Sequence, residues 1–178
     1  GADAYQFLAR EHVLLNSLTQ IIKGARVEEL PSRVNDLVIK MKDIEKELAS
    51  LRTSAAMQGA GKLIENAKDI SGVSYICGSL ADGIAADSLR EIALDLRARS
   101  PKNVVVLTSV VEGKVVLVVA VSEAARSSQV KAGALVKVAS AILGGGGGGK
   151  DDFAQGGGTD TAKIPEAMKA IELAIAGK

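Results

Sequence analysis

Val104–Val121 reads VVVLTSVVEGKVVLVVAV, and this segment decides the fold class. Its two runs, Val104–Val111 and Val115–Val121, consist almost wholly of β-branched and aliphatic residues, which suit a pleated strand. Glu112-Gly113-Lys114 between them predicts a tight hairpin. Neither run alternates with polar residues, so both faces of both strands must be covered. Helical patterns on either side supply the cover. Ser88–Arg99 places Leu89, Ile92, Ala93 and Leu96 on one face and Arg90, Arg97 and Arg99 elsewhere, and Pro101 stops it. Val130–Ile142 and Ile164–Ile175 are the other two, the last with Pro165 in its first turn and Glu166 beside it. With a short apolar strand at Val73–Cys77, the expectation is a small α/β domain with a mixed sheet over residues 71–178.

Residues 1–70 read differently. Phe7, Leu8, Leu14, Leu15, Leu18, Ile21 and Ile22 fall at helical spacing over 4–22, and Gly24 ends that helix. Pro31 opens a second helix, with Glu28 and Glu29 complementing its positive end. Val34, Leu37, Met41, Ile44, Leu48, Leu51 and Ala55 then alternate steps of three and four, a coiled-coil seam. Continued to Asn66 past Gly59 and Gly61, the helix is about 54 Å long at 1.5 Å per residue. The short connection predicts an antiparallel, coiled-coil-like helical hairpin. Either the first helix or a second copy of the chain would satisfy the seam.

With 178 residues, 47% hydrophobic content, 2% aromatics and no tryptophan, the core must be built from Val, Leu, Ile and Ala. The one cysteine, Cys77, excludes an internal disulfide, fits a reducing compartment and sits in the apolar VSYICGS. No apolar run approaches a membrane span and no secretory pattern opens the chain, so a cytoplasmic, membrane-free protein is expected. The opening Gly1-Ala2, already inside a helical pattern, reads as a piece of something longer.

Residues 144–158 read GGGGGGKDDFAQGGG, nine glycines in fifteen positions. A loop of this composition offers close backbone approach and a nest of unobstructed N–H groups for phosphate or carbonyl oxygens. Gly146, Gly147, Gly148, Gly149, Gly156 and Gly157 form the candidate surface, with Lys150 as a point charge and Gln155 as a two-way amide. Phe153 serves equally well to stack on a base or to pin the loop. Overall charge is only +1, but Ala124–Gly149 holds Arg126, Lys131 and Lys137 and no acid, which adds Arg126 and Lys131 as candidate phosphate contacts.

Catalytic signals are weak. His12 is the only histidine and lacks the partners a zinc site needs. Asp151 and Asp152 read as solvated or bonded to loop amides. Gly144–Lys150 fits G-x-x-x-x-G-K formally, yet Asp151 stands where a P-loop needs Ser or Thr, and the run follows a helix instead of a strand.

The segment GGGGGGKDDFAQGGGTD, preceded by VVEGKVVLVVAVSEAARSSQVKAGALVKVASAI, resembles the end of the C-terminal domain of bacterial-type alanyl-tRNA synthetases. GADAYQFL resembles the junction past that family's editing domain, and the stretch to Asn66 its helical subdomain, so the resemblance runs over essentially the whole chain. A more distant relation is to the domain accompanying DHH-type phosphoesterases, whose glycine motif carries a histidine absent here. The resemblance implies a non-catalytic appended domain that engages the elbow of tRNA(Ala) and helps aminoacylation and editing act on one substrate. ATP and zinc would belong to upstream domains, and this piece would hold no cofactor. Two other readings stand beside it: a dimerisation or structural module built on the heptad helix, and the substrate-clamping half of a phosphoesterase. The second lacks any aspartate-histidine cluster.

Overall fold

The computed structural model describes residues 2–23 and 26–177; the expected cap Gly24 lies outside the described residues. Two compact units divide the chain, residues 1–48 and 49–178. In the first, helix α1 spans Ala2–Ile21, a 3-10 turn spans Val27–Glu29, and α2 begins at Leu30 with Pro31 in its first turn. The two expected helices are present, but their apolar stripes stay exposed: Phe7, Leu8 and Leu14 on α1, Val34, Leu37, Met41 and Ile44 on α2. His12 is exposed as well.

The second unit begins earlier than the expected boundary at residue 71. The reason is that α2 runs on to Glu65, and Ala56, Met57, Ala60, Leu63 and Ile64 join an apolar core. The small residue Gly78 admits the Leu63 side chain against the sheet.

Six strands follow: β1 (Lys68–Ile70), β2 (Val73–Ser79), β3 (Asn103–Val111), β4 (Lys114–Val121), β5 (Gly147–Gly149) and β6 (Phe153–Gly158). Their order in the sheet is β1-β2-β3-β4-β6-β5, with β2 and β3 parallel and every other pair antiparallel. The parallel pair needs a crossover, supplied by α3 (Ala86–Ala98). Val111 pairs Lys114, so the β3–β4 turn is Glu112-Gly113, with φ of 50° and 74°. Two positive φ values match the right-handed twist of the strands they join.

Both faces of β3 and β4 are covered. Val104, Val106, Leu117 and Val119 pack beneath α5 (Ala132–Ile142) and α6 (Ile164–Ile175). Val105, Leu107, Val118 and Ala120 pack beneath α3 and the end of α2. A short helix, α4 (Glu123–Arg126), capped by Ser122, joins β4 to α5. Near α6 the buried Tyr75 hydroxyl donates to the Met168 carbonyl (3.1 Å). Burial, with the neighbouring Cys77, pushes the Tyr75 pKa well above its ordinary value. Cys77 is half-buried and packs against that same core. Glu172 on α6 is held below the usual carboxylate range by its hydrogen bond from Lys68 (3.1 Å).

Candidate nucleic-acid interface

The glycine segment is a pair of strands, not the expected loop. β6 lies between β4 and β5, with Val118 opposite Gln155 and Gln155 opposite Gly148. Glycine has little intrinsic strand preference, so the pairing is imposed by what surrounds it. Helix α5 lies directly on the hairpin: a β-carbon at Gly156 would come 2.7 Å from Val136 Cγ1 and overlap Ser140 Oγ. The Ser140 hydroxyl accepts a hydrogen bond from the Gly157 amide (3.2 Å). At Gly157 a β-carbon would overlap the Val115 carbonyl oxygen of β4. These glycines are close-approach positions of the fold.

The turn at Lys150-Asp151-Asp152 is tied down on three sides. Amides of Ala132 and Gly133 donate to the carbonyls of Asp151 (3.0 Å) and Lys150 (3.2 Å). The amide of Val121 donates to the Asp152 carbonyl (2.8 Å), and the Arg97 guanidinium donates to the same oxygen (3.2 Å). The two aspartates do not hold loop amides through their side chains. Asp151 pairs with Lys131 (3.2 Å) and Asp152 lies near Arg97 (3.7 Å).

Phe153 packs with the core under α3, whereas Ala154 packs with the core under α5. Alternation along β6 therefore turns Gln155 to the α3 side, and its cross-strand partner Gly148 shares that side. Helix α3 covers β3 and β4 and leaves the hairpin's outer face open. The result is a groove of about 450 Å³ lined by Arg90, Gly148, Gly149, Lys150, Phe153, Ala154 and Gln155, with one acid, Asp152, whose carboxylate lies 3.7 Å from Arg97. A β-carbon at Gly148 would meet no atom within 4 Å, so the floor is bare backbone.

Of the residues singled out from sequence, Gly148, Gly149, Lys150 and Gln155 meet in this groove. Gly146 is exposed nearby, and Gly147 and Gly156 are turned to Val136 of α5. Lys131 is engaged with Asp151, and Arg126 lines a separate cleft of about 350 Å³ with Arg97, Ser100 and Ser122. Arg90 was not among the expected residues. Its guanidinium carbon sits 4.8 Å from the centroid of the Phe153 ring. Among the described residues, Arg90, Lys150 and Arg126 form no ion pair. No group of three or more His, Cys, Asp or Glu among them is placed to hold a metal ion, and no described helix is long and apolar enough to cross a membrane.

Residues 72–177 match the DHHA1 domain family. The chain is 46% identical over 178 residues to the alanine--tRNA ligase of Streptomyces avermitilis, and 45% identical over 175 residues to that of Kineococcus radiotolerans. These alignments take in 98% and 97% of this chain but only 20% and 19% of those proteins. The chain thus spans about a fifth of the length of these relatives. Among solved structures, the C-Ala domain from Aquifex aeolicus alanyl-tRNA synthetase superposes with a TM-score of 0.58 at 32% identity, over 62% of this chain and 98% of that one. The long helix, the mixed six-stranded sheet and these matches agree: the chain belongs to the DHHA1 domain family, as a C-Ala domain of the alanyl-tRNA synthetases.

Proposed function

We propose that this chain is the tRNA-binding domain appended to an alanyl-tRNA synthetase, catalysing no reaction itself. It engages the elbow of tRNA(Ala), so that the aminoacylation and editing modules upstream act on the same molecule in the cytoplasm. The observation that carries this reading is the groove on the open face of the glycine hairpin. Its floor is flat backbone, Lys150 and Arg90 bring positive charge, and Gln155 offers a donor and an acceptor. RNA is recognised largely by shape and by exposed base faces, which a floor without side chains accommodates. ATP and zinc are assigned to the upstream modules, and this domain needs no cofactor for binding.

Affinity of the whole chain for tRNA(Ala), measured against salt and against an unstructured RNA of equal length, tests the reading. The folded tRNA should bind more tightly, with a shallow log–log salt slope of about −2, as the groove's two unpaired cations, Arg90 and Lys150, would give. Equal affinity for the two RNAs refutes it.

A second reading, self-association through the helical segment, is favoured by the exposed stripes of α1 and α2. Mass in solution of the whole chain, alone and carrying Leu37→Lys with Ile44→Lys, tests it. A dimer that the double substitution dissociates supports self-association, and a monomer at high concentration overturns it.

A further inference from the structure

Phe153 is the only aromatic side chain in the groove, and its half-buried ring already has a partner. The Arg90 guanidinium lies over it at 4.8 Å, and Arg90 is exposed and lines the groove. An arginine so placed keeps its planar fork of donors free while the ring limits its rotamers. Two basic groups at the neighbouring Lys150-Asp151-Asp152 turn differ. Arg97 is spent on the carbonyl and carboxylate of Asp152, and Lys131 on Asp151.

We propose that Arg90 is the phosphate-binding residue of this groove, and that Phe153 is the positioning residue that holds it and does not itself stack on a base. The ligand chemistry is a nucleotide unit: its flat base on the Gly148 floor, its phosphate on the Arg90 fork. This rests on the reading of the groove as an RNA interface and adds the residue that orients the RNA within it. A ring covered by a guanidinium has that face closed to a base. A guanidinium matched to two phosphate oxygens gives geometric selectivity that a flexible lysine such as Lys150 does not.

The test has two arms, both on the whole chain. In the first, isotope-labelled protein is titrated with 5′-AMP, adenosine and inorganic phosphate while the Arg90 Nε–H and Gly148 amide resonances are followed. Saturable shifts of both with AMP, lost in Arg90→Ala, are expected, with adenosine leaving the Arg90 signal in place. In the second, tRNA affinity is measured for Arg90→Ala, Arg90→Lys, Phe153→Leu and the Arg90→Ala/Phe153→Leu double variant. Melting curves establish that each is folded.

Arg90→Ala should weaken tRNA binding about tenfold and lower the salt slope by about one unit. Arg90→Lys should restore the slope but not the full affinity. Phe153→Leu should cost about threefold alone, and nothing further in the Arg90→Ala background. An Arg90 signal indifferent to AMP, or Arg90→Ala binding tRNA as the wild type does, overturns the assignment and leaves the proposed function standing. Arg90-dependent AMP shifts in a chain that ignores tRNA uphold the assignment and refute the proposed function. Equal losses from Phe153→Leu with and without Arg90 mean that the ring contacts RNA itself, which overturns its positioning role.

Discussion

Alanine at Gly157 and alanine at Gly148 separate glycines that the fold requires from those that a ligand requires. At Gly157 the new methyl falls on the Val115 carbonyl oxygen, in the strand directly paired with β6. No flexible side chain can yield there, so β6 must shift away from β4. Overpacking of this kind costs roughly 1–3 kcal/mol, and a backbone-on-backbone clash belongs at the upper end. For a chain of this size, ~3 kcal/mol lowers the melting temperature by roughly 6–12 °C. At Gly148 the methyl meets nothing within 4 Å, and stability should change by no more than about 0.5 kcal/mol. That methyl does project into the groove and would hold a flat ligand off the backbone. A loss of roughly 1 kcal/mol of contact is about fivefold in affinity. Melting followed by circular dichroism, and tRNA titration at fixed salt, read both effects. If Gly157→Ala melts within about 2 °C of the wild type, the close-approach argument fails. If Gly148→Ala binds tRNA as the wild type does, the groove floor is not the contact surface.

Lys150→Ala should weaken tRNA binding by roughly 1 kcal/mol and reduce the salt slope by about one unit, with melting unchanged. If Arg126→Ala lowers both instead, the contact lies on the cleft beside α4. Asp151→Asn with Asp152→Asn removes the carboxylates paired with Lys131 and Arg97, although Arg97 keeps its bond to the Asp152 carbonyl, so tRNA should bind more tightly with a steeper slope, at a stability cost of at most about 1 kcal/mol; weaker binding would mean that the pairs orient the turn for RNA. The Tyr75 pKa is raised in the folded state, so above about pH 10 the unfolded chain releases a proton that the folded chain keeps. Stability therefore falls as pH rises past that point. Tyr75→Phe, which loses roughly 1 kcal/mol with the bond to Met168, should abolish much of that fall, and an unaltered alkaline profile would count against it.

The β-branched runs at Val104–Val121 declared both strands and the need for cover on both faces, and α3 and α6 followed from their apolar spacing. The glycine strands were illegible because alternation is carried by side chains that glycine lacks. Their state is decided by Val136 and Ser140 of α5 and by the β4 backbone, all distant in sequence. Lys68–Ile70 escaped because two of its three residues are charged and it pairs only as an edge. Arg90 lies off the apolar face of α3 with Arg97 and Arg99, and its spacing does not single it out. Nothing in its neighbourhood along the chain announces Phe153; the sheet brings them together. The exposed stripe of α2 is the converse case, where the heptad spacing was plain but the partner was not.

The internal pairing of Lys131 with Asp151 and of Arg97 with Asp152 has a kinetic consequence. On a chain of net charge +1, it leaves little long-range field to draw a polyanion inward. Association with RNA should therefore proceed at an unsteered rate, on the order of 10⁵–10⁶ M⁻¹s⁻¹, and vary little with salt. Discrimination between RNAs would then reside in how long each complex survives. Under the proposed function, such a domain would sample many RNAs briefly and retain the one whose shape fits its floor.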